Sequence, residues 1–217
     1  MTHPVWPLFD LRLRTGELEL RLPTEDDLVA LIGVARAGIH PPEEMPFAIP
    51  WTDLPSPAFE RSAFQFHVGQ QAGWRRDAWN LPLGVWVDGA PAGMQDLGAR
   101  DFATLRTVHT GSWLGQPFQG RGIGKLMRQA VLTLAFDHLG AELAESEAMV
   151  TNPASSRVSL GVGYEPNGRG LLAPRGVPIE TERYRLTLEG WRSRPRPTVE
   201  VTGLEPCLEL FGVALAP

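Results

Sequence analysis

Leucine alternates with polar residues through "LRLRTGELELRL" (residues 11–22), and the alternation breaks at Thr15-Gly16. A period of two with a turn dipeptide in the middle predicts a strand hairpin. The period changes at Thr24. Three acidic residues follow it, and Leu28, Leu31 and Ile32 then mark one apolar face. Thr24 with Asp27 three positions on forms a capping-box pattern, and Gly38 is a suitable C-cap, so a helix is predicted between them. Residues 39–57 lose all periodicity. Five prolines from Pro41 to Pro55 are interleaved with aromatic and apolar residues, which excludes a regular helix or strand. A helix is predicted over 58–80. Two strands joined at Asp88-Gly89 follow, then a strand in "TLRTVHTGSWLG".

From Ile123 the apolar positions Ile123, Leu126, Met127, Ala130, Val131 and Leu134 trace one face of a helix that Gly140 closes. "AELAESEAMV" reads as the next strand. Asn152 and Pro153 open a short helix as N-cap and N1. Strands near residues 164–172 and 182–188 complete the series. The tail from Arg194 contains strand-like pieces such as "TVEVTGL" with no assigned place. The order predicts one mixed sheet with helices on its faces.

With 217 residues, of which 43% are apolar, the chain is long enough for one full core. A formal net charge of -5 argues against a general nucleic-acid binder. The single cysteine, Cys207, excludes an internal disulfide framework and suits a reducing cytoplasm. No apolar run reaches membrane-spanning length, and the N-terminal stretch lacks the layout of a secretory signal. A cytoplasmic protein with no membrane partner is therefore expected.

The densest chemical signal is "QGRGIGKLM", Gln119 to Met127. Glycines at 120, 122 and 124 stand at a helix start between Arg121 and Lys125. A helix N-terminus offers unpaired N–H groups and partial positive charge, and glycine lets a ligand approach the backbone. An anion site is the expectation. A P-loop would need glycine where Gln119 stands and Ser or Thr where Leu126 stands. The dinucleotide fingerprint fails at Lys125 in one frame and at Met127 in the other.

The pattern that fits is Gln119, Gly122 and Gly124, which resembles the pyrophosphate-binding motif of the GNAT superfamily of N-acetyltransferases. The preceding strand "HTGSWLG", the following helix and "NPAS" with a later Gly163-Tyr164 match that family's order. Asn152 and Ser155 resemble, more narrowly, the ribosomal-protein-alanine acetyltransferase-like branch. The resemblance implies an α/β (α+β) fold: a mixed, mostly antiparallel sheet with splayed central strands and helices on both faces. It implies a domain over residues 1–193, with 194–217 as an extension. It also implies acetyl-CoA as co-substrate, held by Trp113 and Leu114 along the strand. Gln119, Gly120, Arg121, Gly122, Ile123, Gly124 and Lys125 would sit at the pyrophosphate, and Asn152 and Ser155 at the pantetheine arm. The acceptor would be a primary amine, on a small molecule or a protein N-terminus, and a homodimer is left open. Two alternatives stand beside this: a catalytically weak CoA-binding regulatory or scaffolding module, and a transferase of a longer acyl group.

Acetyl transfer to an amine needs a proton acceptor, a polarised thioester and a protonated leaving thiol. Glu147, five residues before Asn152, is the first candidate base by resemblance. His109 is the second, since its ordinary pKa suits base work. Ser146, on the opposite face from Glu147, is a candidate for orienting substrate. Relatives carry a tyrosine as general acid where this chain has Ser159; Tyr164 falls at a position that usually packs in the core. Glu43, Glu44 and Asp53 could receive a cationic amine, and Trp51 could line its pocket. The five histidines never pair at metal-ligand spacing, so no metal is expected.

Overall fold

The computed structural model describes residues 3–213. Strands β1 (Arg12–Thr15) and β2 (Leu18–Arg21) form the expected hairpin. Helix α1 (Glu25–Ala37) starts at the capping box: the Thr24 hydroxyl accepts from the Asp27 N–H at 3.2 Å, and the Asp27 carboxylate accepts from the Thr24 N–H at 3.1 Å. Such a cap contributes about 1 kcal/mol. Helix α2 (Ala58–Ala72) is shorter than the predicted 58–80. Gly73 ends it, and from Ala78 the chain is already strand β3 (Ala78–Val87), where Trp79, Leu81 and Leu83 are buried in the sheet. The period-two segment around Trp79 overrides the helical reading because only a strand there can pair with both neighbours.

Strand β4 (Ala90–Arg100) returns from β3 through Asp88 and Gly89, both at positive φ, as a tight primed turn requires. After a short helix α3 (Phe102–Leu105) come β5 (Thr107–Leu114) and α4 (Ile123–Leu132), which runs on in π geometry to His138. Then follow β6 (Leu143–Met149), α5 (Pro153–Val162), β7 (Glu165–Leu172), β8 (Ile179–Thr187), a short α6 (Leu188–Arg192) and β9 (Glu200–Thr202).

These strands form one sheet in the order β7-β8-β6-β5-β4-β3-β2-β1-β9. Every pairing is antiparallel except β5 with β6. The tail thus finds its place: β9 adds an edge strand to β1, and Cys207 and Phe211 beyond it are buried in the main core. Burial pushes the Cys207 thiol up to about 12 and fits it for packing. Helices α1 and α2 cover one face and α4 the other. Leu31 of α1 packs on Trp86, Met94 and Trp113, whereas Ile123, Met127 and Val131 of α4 join the larger cluster with Leu20, Val85 and Val108. The mixed, mostly antiparallel sheet with helices on both faces is as expected.

Only three residue pairs hold β5 to β6, and pairing ends at His109–Glu145. Beyond that point the two strands diverge, because β5 stays with β4 up to Leu114 while β6 stays with β8 up to Met149. Among the described residues no helix is long and apolar enough to cross a membrane.

Candidate functional site

The divergence opens a cleft of about 640 Å³. Its near wall is β5 from Thr110 to Leu114, its far wall β6 from Ser146 to Met149, and α4 and α5 close one end. Of the sequence candidates, Trp113, Leu114, Gln119, Gly120, Gly122, Gly124, Lys125, Ser146, Glu147, Asn152 and Ser155 all line it. The glycines serve two different ends. Gly120 and Gly122 sit at φ +71° and +81°, and among the described residues nothing beyond their chain neighbours lies within 4 Å of where a Cβ would stand. That is an open cradle at a helix N-terminus. At Gly124 a Cβ would meet Val158 of α5 at 3.3 Å, so its bareness lets the two helices close together.

Three candidates stand elsewhere than on the cleft wall. Arg121 is exposed, with its guanidinium 6.0 Å from the Phe118 ring. Ile123 turns its side chain into the core. The ring of His109 fills the space over Gly98 beside Asn80, and burial, then Arg100, hold its pKa below the ordinary histidine value against Glu145. Three further side chains line the cleft but are already engaged within the protein. The Gln119 amide donates to the carbonyls of Ile39 and Leu114, both at 2.8 Å, so it braces the loop. Asn152 accepts from the Ser155 N–H at 3.1 Å as the cap of α5. Glu147 accepts from the Thr181 hydroxyl and lies 3.6 Å from Arg183.

The proline-rich segment borders the same cleft through Ile39, His40, Pro41, Glu44, Pro46, Phe47 and Ala48. It is held in two ways. Trp51 stacks on Phe59 at 5.4 Å and reaches Trp113 at 6.2 Å, so it anchors the loop rather than facing the cleft. Asp53 makes a bidentate pair with Arg175, both bonds 2.6 Å, and Arg175 also donates to the Pro42 carbonyl at 3.0 Å. The Arg175 bonds hold the Asp53 carboxyl below its ordinary value. Asp53 is therefore engaged in strapping the loop to the β7–β8 connection, and Glu44 is the loop carboxylate that faces the cleft.

One cleft residue escaped the sequence reading. Arg128 of α4 is 2% exposed and reaches across the divergence. Its guanidinium donates to Ser146 of β6 at 3.1 Å and to Ser112 of β5 at 3.2 Å, and its Nε has no partner. The only sequence signal was a cation inside an apolar helical series. A buried cation held by two neutral hydroxyls costs several kcal/mol unless an anion joins it. Tyr164, fully enclosed beside it, hydrogen-bonds Thr110 at 3.3 Å. Ser159 is wholly buried with an unpaired hydroxyl and does not face the cleft.

The arrangement can hold a long, anionic, thioester-bearing molecule. The glycine cradle and Lys125 suit a pyrophosphate, the unpaired stretch of β5 suits an amide-containing arm, and Arg128 lies where negative charge would gather. Among the described residues no group of three or more metal-ligating side chains comes together.

The comparisons with known proteins agree. A family model described as acetyltransferase (GNAT) domain matches residues 17–165. Mycobacterium smegmatis RimJ in complex with CoA-disulfide is similar, with 22% identity and a TM-score of 0.68 over 90% of this chain and 93% of that one. RimL, a ribosomal L7/L12 alpha-N-protein acetyltransferase in complex with coenzyme A, shares 18% identity with a TM-score of 0.66 over 82% of this chain and 99% of its own. An acetyl transferase from Salmonella typhimurium that modifies the N-terminal serine of L7/L12 shares 18% identity, TM-score 0.64, over 80% and 96%. At these identities the solved structures speak for the fold.

Proposed function

The chain belongs to the GNAT acetyltransferase family, and from that premise we propose that its acceptor is the α-amino group of a protein or peptide. The chemistry itself is that of an acetyl-CoA-dependent N-acetyltransferase. A non-catalytic scaffold is not favoured. Such a module needs the cradle but has no use for a costly buried cation at the point where the strands part.

The observation that carries the acceptor reading is the pair of carboxylates on the cleft wall. Glu44 of the strapped loop and Glu147 both line it and suit an ammonium. That RimL and the Salmonella enzyme act on protein N-termini supports the same choice. The bound acetyl thioester supplies the acyl group. Gly120, Gly122 and Lys125 hold the pyrophosphate, and Trp113 and Leu114 present backbone groups to the arm. Arg128 stabilises negative charge developing on the carbonyl oxygen and the departing sulfur. This positioning of a fixed cation in a dry throat is worth far more than in water. It also substitutes for the tyrosine acid that relatives carry where Ser159 stands.

Glu147 is the carboxylate that receives the acceptor's ammonium. Its contacts with Thr181 and Arg183 fix it in the wall. Glu147→Gln is therefore expected to raise the acceptor KM about tenfold, the size of one charge-assisted hydrogen bond, with kcat changed less than about threefold. A large fall in kcat at constant KM would return the base role to Glu147. Asp53→Ala, which releases the loop strap, is expected to raise the acceptor KM about threefold to tenfold while leaving the Kd for coenzyme A unchanged. Kinetics with peptides and calorimetry with coenzyme A read both. Mass-spectrometric comparison of N-terminal peptides with aminoglycosides and polyamines tests the acceptor class, and acetylation of the small amines alone would overturn it.

A further inference from the structure

We propose that Asp96 is the general base, acting through a gap left by Gly111. The inference rests on the amine-acetylating reading and adds a residue to it. Register puts Asp96 of β4 opposite Gly111 of β5. The parallel pair His109–Glu145 continues two residues on to Gly111 and Glu147, and Glu147 lies opposite Arg183 of β8. Asp96, Gly111, Glu147 and Arg183 therefore stand in one lateral row, on the face that carries α1 and α2. The strands part between the second and third members of that row.

Gly111 is the one position in the row without a side chain, and it lines the cleft. A Cβ there would stand 3.9 Å from Oδ2 of Asp96. The missing side chain leaves room between Oδ2 and the cleft that Gly111 lines. Asp96 is otherwise enclosed, and its Oδ1 is buried without a partner. A buried carboxyl oxygen without a partner is costly in the fold, and Oδ2 of the same group is the oxygen nearest Gly111.

The surroundings set its proton affinity. Burial, opposed by the Asn80 amide, pushes Asp96 up to about 7. The ionisable groups on this face include His109 of β5, Glu145 and Glu147 of β6, Arg183 and Arg185 of β8, Arg100 of β4, Glu19 and Arg21 of β2, and His67 on the buried side of α2. Burial holds His67 down to about 4, so it brings no positive charge near neutral pH. No charged neighbour contributes to the shift of Asp96. A carboxyl poised near 7 is a better base for an α-ammonium of pKa about 8 than one near 4.

The proton count closes. Asp96 takes one proton from the ammonium, and the freed nitrogen lone pair forms the bond to the carbonyl carbon. The carbon–sulfur bond breaks and its electron pair leaves with sulfur. The second nitrogen proton passes to that sulfur, giving amide and thiol. Asp96 then returns its proton to solvent.

The test compares wild type, Asp96→Asn and Gly111→Ala across pH with a peptide acceptor. Wild-type kcat/KM is expected to fall on an acidic limb near pH 7. In Asp96→Asn that limb moves up to the amine's own pKa of about 8, the rate at pH 7.5 drops severalfold, and the deficit closes by pH 10, where the amine is already free. Gly111→Ala, whose methyl group meets Asp96 only at ordinary contact distance, is expected to lose rate in the same pH-dependent way while binding coenzyme A normally. A wild-type profile in both variants, or a deficit equal at every pH, would overturn the assignment. A carbon-13 titration of the aspartate carboxyls, with Asp96→Asn to identify the resonance, reads the same group without turnover. Titration near 7 supports the proposal, and titration near 4 sinks it. Should no peptide be acetylated by the wild type, the acceptor reading fails while this titration still decides on Asp96.

Discussion

Gly122→Val is expected to weaken coenzyme A binding by at least about a hundredfold, with the fold retained. Gly122 caps α4 at φ +81°, a conformation that brings the first free N–H groups of the helix to the cleft. Valine acts there in two ways. Its branched side chain enters the space a pyrophosphate would fill, since among the described residues nothing beyond the chain neighbours lies within 4 Å of the Cβ position. It also dislikes positive φ by about 1–2 kcal/mol, which tilts the N–H groups away from the ligand. A hundredfold loss is about 2.7 kcal/mol, so the two effects suffice. The same strain is a fraction of an ordinary domain stability of about 5–15 kcal/mol, so the protein stays folded. Calorimetry with coenzyme A measures the loss, and circular dichroism checks the fold. Unchanged affinity in a folded variant would remove the pyrophosphate from this loop.

Arg128→Met is expected to cut turnover by about 10²–10³-fold while leaving the thermal midpoint unchanged or slightly raised. The opposite signs follow from one fact. The guanidinium is 2% exposed and is bonded to two neutral hydroxyls, and among the described residues no carboxylate forms an ion pair with it. Burying such a charge destabilises the free protein, and methionine of similar length removes that cost. During transfer the same charge meets a developing thiolate in a site with little water, where attraction is strong. A structural role would give the reverse result, a fall in thermal midpoint with turnover per folded molecule unchanged. Arg128→Lys keeps the charge but cannot reach both Ser112 and Ser146, so partial activity is expected. Turnover within about threefold of wild type in Arg128→Met would exclude the cation from the chemistry.

Local physics settled a large share of this protein in advance. The hairpin at Thr15-Gly16, the capping box at Thr24, the turn at Asp88-Gly89 and the cap at Asn152 each depend on residues within four positions of one another. Such features are written directly in the chain, and the glycine cradle belongs with them because a helix start is also local. The end of α2 was less legible, since nothing near Ala72 announces that the chain around Trp79 will be claimed by two neighbouring strands. The tail was opaque for the same reason: β9 has meaning only beside β1, nearly 190 residues earlier.

The candidate site divides along the same line. Residues that shape the cradle through their backbone, Gly120 and Gly122, could be named from spacing, as could Gly124, whose bareness lets α4 and α5 close together. Side chains whose chemistry depends on enclosure could not. Asp96 is one carboxylate among 25 acidic residues until the sheet buries it beside Gly111, and Arg128 is one more helical cation until β5 and β6 part around it. Conversely, Asp53 and Gln119 have the right chemistry for a ligand, and only the folded chain reveals that Arg175 and the Ile39 carbonyl already engage them. Propensity and capping act over one or two turns of chain and are carried by the sequence itself. Burial, register and charge pairing are properties of surfaces brought together from distant segments, and the tertiary structure alone decides them.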